Sequence, residues 1–154
     1  MPRVSAGLLP YRSRDGRLEV LLVHPGGPFW ARKDAGAWSI AKGEIDPDED
    51  PLAAAVREFA EETGHHPAGE FIRLTSLKQP GGKVVHAWAV AMDWDPAGLA
   101  SNEFEMEWPR GSGRMRRFAE VDRAEWFERS EALRRILAGQ RGFIEELSAM
   151  RPSG

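Results

Sequence analysis

Three glutamates, Glu58, Glu61 and Glu62, stand at i, i+3 and i+4 near the middle of the chain. At about 100° per residue, that spacing brings all three to one side of a helix. Like charges so placed repel one another, at about 0.3 kcal/mol per pair. The last turns of a helix disfavour negative charge as well. A divalent cation reverses both penalties, since magnesium prefers a few carboxylates together with water and substrate phosphate oxygens. Such a cluster suits a divalent cation that in turn holds the phosphate oxygens of a ligand. A solvated acidic face is the ordinary alternative for three glutamates taken alone.

The surrounding spacing decides between them. Gly43 is followed after five residues by Glu49, and after seven more by Arg57-Glu58-Phe59-Ala60-Glu61-Glu62-Thr63-Gly64. This resembles the signature of the Nudix hydrolases, which cleave nucleoside diphosphates linked to another moiety. All seven fixed identities are present, with Phe59 as the bulky apolar residue; chance would supply them about once in 10⁸ start sites. Two positions depart from the pattern. His65 stands where an aliphatic residue is usual, and Ala41 where Trp-x-aliphatic-Pro-Lys-Gly places proline.

The resemblance implies a Nudix-type α/β/α sandwich, an α+β fold with a mixed sheet, whose loop–helix–loop holds magnesium or manganese. Glu58 and Glu62 are then the principal metal ligands, Glu61 assists, and Gly43 offers its backbone carbonyl. Arg57 pairs with a motif glutamate, most plausibly the supporting Glu49. Glu58 is one candidate for the general base. Some family members use a glutamate outside the motif, for which Glu103, Glu105 and Glu107 are candidates.

Substrate contacts are less legible. Lys42, beside the motif, and Arg114, Arg116 and Arg117, after the flexible Gly111-Ser112-Gly113, are candidates for phosphate, with a solvated loop the alternative for the three arginines. Phe29 and Trp30 lie in a loop outside any core period, and one of them, Trp30 foremost, is a candidate for stacking on a base, with packing against the fold the alternative. Trp88, Trp94 and Trp126 read as structural. The four histidines have no metal-ligand spacing and are assigned no role.

These residues need a scaffold. Val4 to Tyr11 and Leu18 to Val23 read as strands joined by an Asp-Gly turn, followed by a loop over residues 24–36. Asp50-Pro51 starts a helix that Gly64 ends, with Leu52, Ala55, Val56, Phe59 and Thr63 on its buried side. The glutamates would lie opposite, and Ala54 would leave their face open. Strands are expected over Phe71 to Lys78 and Lys83 to Met92, and Asn102 to Trp108 alternates strictly. Residues 122–138 are helical in pattern, with Gly139 as a cap. Phe143, Ile144 and Leu147 suggest a short final helix, read as peripheral, ending in a tail.

Composition bounds the rest. The 154 residues suit one domain. With no cysteine there is no disulfide, zinc-thiolate site or thiol nucleophile. The same absence excludes the family's isopentenyl diphosphate isomerase branch, which depends on a catalytic cysteine. A net charge of −3 does not suggest a nucleic-acid or membrane binder. No apolar run approaches a membrane span, and Met1 to Ser5 lack the long apolar stretch of a signal peptide, so cytoplasm is the default. The expectation is a divalent-metal-dependent pyrophosphohydrolase, monomer or homodimer, acting on a small nucleotide. Dinucleoside polyphosphates, ADP-ribose-like compounds and nucleoside triphosphates stay open as substrates. The alternative is a non-catalytic Nudix-like nucleotide sensor or regulator, against which the intact motif argues.

Overall fold

Strand β1 (Val4–Arg14) is buried from Ser5 to Tyr11 without alternation, as expected of a strand covered on both faces. It turns through Asp15 and Gly16, both at positive φ (54° and 75°), into β2 (Arg17–Pro25). Asp-Gly favours that turn because glycine carries no Cβ to clash there. One edge of β1 is shared between two partners. Its second half pairs antiparallel with β2, and its first half pairs antiparallel with β3 (Ala41–Glu44), from Ser5↔Glu44 to Leu8↔Ala41. Its other edge runs parallel to β6 (Val84–Ala91). β4 (Phe71–Arg73) and β5 (Leu77–Lys78) flank β6, and β9 (Val121–Glu128) lies beyond β2. A separate hairpin joins β7 (Glu103–Glu107) to β8 (Met115–Ala119). This computed structural model describes residues 4–151. Met1–Arg3, on which the reading of the N-terminus partly rests, and the end of the tail lie outside them.

Helix α1 (Pro51–Thr63) covers one face of the sheet, where Ala54, Ala55 and Phe59 join Leu8, Leu21 and Val90. α2 (Arg129–Arg135) and α3 (Arg141–Met150) cover the other, where Ala132, Phe143 and Ile144 join Leu9, Val20 and Trp38. The result is the α/β/α sandwich with a mixed sheet that the motif implies. Among the described residues, no helix is long and apolar enough to cross a membrane.

Several local expectations are corrected. Residues 121–128 form a strand, and helix begins only at Arg129. The misleading cue is a bulge: Pro25 pairs with Val121 but His24 with Arg123, leaving Asp122 as an extra residue. The bulge sets Val121 and Ala124 three apart on the α1 face, and Phe127 is buried on the opposite face, so that a buried residue at every third position imitates a helical period. Gly139 lies in a 3₁₀ turn (Ala138–Gln140) and does not cap a helix. The final helix is not peripheral, because Phe143, Ile144 and Leu147 are fully buried in the core.

Candidate active site

Asp50 and Gly64 delimit α1 as their types demand. The Asp50 side chain accepts from the Ala53 N–H at 3.0 Å, and the Gly64 N–H, at φ 80°, donates to the Ala60 carbonyl at 2.8 Å. The buried arc of the helix differs from the expected one. Ala54, Ala55, Phe59 and Thr63 are buried, whereas Leu52 and Val56 lie only at the margin. Ala54 therefore packs in the core and opens no face to a ligand. On the helical wheel Glu58 and Glu62 fall between Ala54 and Ala55, so they point toward the sheet. Glu61 stays outside that arc. Glu58 is accordingly 13% exposed and Glu61 38%.

β3 passes directly over this arc. A Cβ on Gly43 would collide with the Glu58 carboxylate, so glycine there lets the strand approach with that carboxylate in place. Arg57 ties the cluster together from outside. Its Nε and Nη2 donate to the two oxygens of Glu49 at 2.8 and 2.9 Å, and its Nη1 donates to Glu58 at 2.9 Å and Glu61 at 3.2 Å. Nη2 also reaches the Glu44 carbonyl at 3.2 Å. These bonds, those to Glu49 foremost, push the guanidinium pKa upward. The same bonds hold the Glu49 carboxyl down at about 2. The expected pairing of Arg57 with Glu49 is thus present in a bidentate form.

The inner carboxylates behave oppositely. Burial pushes Glu62 up to about 8, reinforced by the charges of Glu58 and Glu120 and opposed by Lys42. Glu58 is also raised, by burial first, against the pull of Arg57. Burial lowers Lys42, and Glu62 works against that shift. Among the described residues, no three histidine or acidic side chains already close around one point. Glu58 and Glu61 are turned onto Arg57. The donor chemistry nonetheless fits magnesium: hard carboxylate oxygens, partly desolvated, each raising the pKa of the next.

A cavity of about 220 Å³ opens beside them. Trp30, Ser39, Lys42, Glu62 and Glu120 line it, with apolar walls that include Val23 and Leu137. It lies where the sheet divides between β2 and β3. Lys42 and Trp30 therefore share one cavity with Glu62 and Glu120. Arg114 does not; it lies exposed at the far end of the β7–β8 hairpin, its backbone N–H bonded to Ser112 Oγ.

The glutamates of β7 also lie apart from the cavity. Glu105 accepts from Arg117 at 3.3 Å, and Glu107 accepts from the backbone N–H groups of Gly111 and Gly113. The glutamate outside the motif that does reach the cavity is Glu120, which sequence reasoning missed. Its carboxyl is raised by burial and by Glu61. Its backbone is fixed by bonds to Gly26 and Asn102. No periodicity marks it, because it is the junction between the hairpin and the sheet.

Other overlooked residues support the cavity wall. Gln140 is fully buried, accepting from the Ile40 N–H at 3.0 Å and donating to Ser39 Oγ at 3.1 Å. His24, also fully buried, sits between the Asp122 carboxylate (2.8 Å) and the Lys33 carbonyl (2.6 Å). His65 stacks on Trp94, with centroids 5.5 Å apart, and packs where the pattern usually places an aliphatic side chain. Ala41 is buried in β3 opposite Leu8.

The sequence model of the NUDIX domain matches residues 1–147, and the chain belongs to that family. Over 81 residues, half of this chain, it is 36% identical to the CTP pyrophosphohydrolase of Escherichia coli (strain K12), covering 55% of that protein. The chain spans about half the length, or less, of the curated relatives it matches. In fold it is similar to an Ap4A hydrolase of C. elegans in a binary complex, with a TM-score of 0.67 and 23% identity over 97% of this chain and 99% of that one. It is also similar to the NUDIX domain of Shewanella oneidensis NrtR complexed with ADP ribose. That match has a TM-score of 0.67 and 19% identity over 98% of this chain and 89% of that one.

Proposed function

We propose that the chain is a divalent-metal-dependent pyrophosphohydrolase that cleaves a phosphoanhydride bond in a nucleoside diphosphate derivative. The observation that carries this is the buried Glu62 carboxylate, held beside Glu58 and Glu120 at the mouth of a cavity that also presents Lys42. Two inward-turned carboxylates with the exposed Glu120 beside them, facing one lysine, are too negative for a purely structural cluster and suit a magnesium–polyanion pair. Glu58, Glu62 and the Gly43 carbonyl would hold the metal, with Glu61 at the outer edge. Once bound, magnesium supplies charge neutralisation on the phosphate oxygens and a more acidic water.

The chain's own residues do the rest. Lys42 donates to a non-bridging phosphate oxygen and orients the anhydride. Arg57 keeps Glu58 and Glu61 from splaying apart. Glu120 takes the proton of the attacking water. It suits that role better than Glu58, because Glu58 is bonded to Arg57 and assigned to the metal, whereas Glu120 lines the cavity. Trp30 stacks on the base at the cavity rim. The relatives named above act on CTP or Ap4A, or bind ADP ribose. These share a nucleoside and an anhydride, which is the substrate class assigned.

A panel of nucleotide derivatives with magnesium in ¹⁸O-labelled water, read by mass spectrometry, tests this. Label in a phosphate product identifies the attacked phosphorus. Tight nucleotide binding without any turnover would support the sensor reading instead.

A further inference from the structure

The β7–β8 hairpin is absorbed by nothing above. Residues 108–116 at its tip include Arg110, Arg114 and Arg116, in a chain whose net charge is −3, and the neighbouring Glu107 carboxylate is taken up by the Gly111 and Gly113 N–H groups. Arg114 and Arg116 are exposed, and neither makes an ion pair among the described residues. Beside them sits an aromatic pair, Phe29 edge-on to Trp108 at 5.7 Å, and Phe29 is 52% exposed. Exposed guanidinium groups beside an exposed ring form a surface suited to a nucleotide.

The hairpin is also fixed relative to the carboxylates. At its base, the Asn102 N–H donates to the Glu61 carbonyl at 2.9 Å, and the Glu120 N–H donates to the Asn102 carbonyl at 2.8 Å. Its stalk leans on the loop bordering the cavity, because the Phe104 ring occupies the space a Gly27 side chain would need. From Glu120 to Met115 the strand rises about 17 Å, at about 3.3 Å per residue. That exceeds the Debye length of about 8 Å at physiological ionic strength. The tip arginines are therefore screened from a nucleoside triphosphate in the cavity and meet only a ligand that extends to them.

We infer that the tip of this hairpin binds the far nucleotide of a dinucleoside polyphosphate, with Arg114 and Arg116 on its phosphates and Phe29 under its base. This deepens the hydrolase reading and rests on it. A single strand of RNA fits less well. It needs a continuous basic track with a stacking platform for successive bases, whereas on this hairpin the stalk arginine, Arg117, is paired with Glu105 and one exposed ring, Phe29, stands beside the tip.

The test compares kcat/KM for diadenosine tetraphosphate with kcat/KM for ATP in wild type, in Arg114→Ala/Arg116→Ala and in Phe29→Ala. The ratio should fall by about tenfold in the double variant, equivalent to about 1.4 kcal/mol, with the loss carried by KM. Lysine at both positions should restore most of it. An unaltered ratio overturns the inference, as does a loss that falls on 5′-triphosphorylated RNA and spares the dinucleotide. If wild type turns over no nucleotide, the hydrolase reading fails by itself. Quenching of tryptophan fluorescence by diadenosine tetraphosphate then decides the matter, and equal binding by wild type and double variant overturns the inference.

Discussion

The backbone of Gly43 lies against the carboxylate of Glu58 so closely that any side chain at position 43 would displace it. Glycine is required there for space, since the position does not need a positive φ. Gly43→Ala should fold and yet move Glu58 out of register with Glu62. Misplacing a catalytic group by about 1 Å costs on the order of 10²-fold, and kcat should fall by about that factor. Steady-state kinetics on a variant shown to be folded by circular dichroism checks this. Wild-type kcat in that variant would show that the close approach has no catalytic consequence.

Burial of the Glu62 carboxyl makes its charged form costly to stability. Its folded pKa of about 8 lies above the unfolded value of 4.5, so the native state favours the protonated form. Stability associated with this group is present at low pH and declines as pH rises from 4.5 through 8. With chelator present, wild type should therefore melt at a lower temperature at pH 9 than at pH 6. Glu62→Gln should flatten that difference while losing turnover. Parallel melting curves for the two proteins would contradict the assignment.

Glu49 has the opposite linkage. Arg57 holds its folded pKa at about 2, below the unfolded 4.5. Its contribution is full above 4.5 and disappears as pH falls through 2. Glu49→Gln should melt lower than wild type at pH 6 and converge with it near pH 2. The variant should also lower kcat, because Arg57 loses its bidentate anchor. Thermal melts at the two pH values, with assays at pH 7.5, measure both effects.

Gln140 offers a test far from the metal face. Gln140→Leu leaves the buried Ile40 N–H without its acceptor. An unpaired buried donor costs about 1–3 kcal/mol, readable as a lower urea midpoint. The cavity wall at Ser39 loses a bond too, so KM for nucleotide should rise more than kcat falls. An unchanged KM would place Gln140 in the core alone.

What the sequence revealed follows from how each feature is encoded. The motif was legible because its contacts are made by fixed residue types at fixed spacing: Asp50 and Gly64 cap the helix, and Arg57 reaches Glu49. The buried arc of α1 was misread because alanine marks a core weakly. Ala54 and Ala55 are buried, while the more hydrophobic Leu52 and Val56 stay at the margin. That shift is what turns Glu58 and Glu62 inward. The strand at residues 121–128 was hidden by a bulge at Asp122 and by burial on both faces, Ala124 on one and Phe127 on the other, which together replace alternation with a spacing of three. Glu120 was invisible for a different reason. Its place depends on where the hairpin meets the sheet, a tertiary relationship without local periodicity, whereas Glu103, Glu105 and Glu107 advertise themselves by alternation and lie elsewhere.

The central claim is that the inward carboxylates hold a metal needed for phosphoanhydride cleavage. It is tested most directly by kcat at saturating nucleotide across a magnesium titration, for wild type, Glu58→Gln and Glu62→Gln. Wild type should depend on magnesium, and each variant should lose about 10²-fold or more of kcat while keeping its fold. Near wild-type turnover in both folded variants would contradict the account.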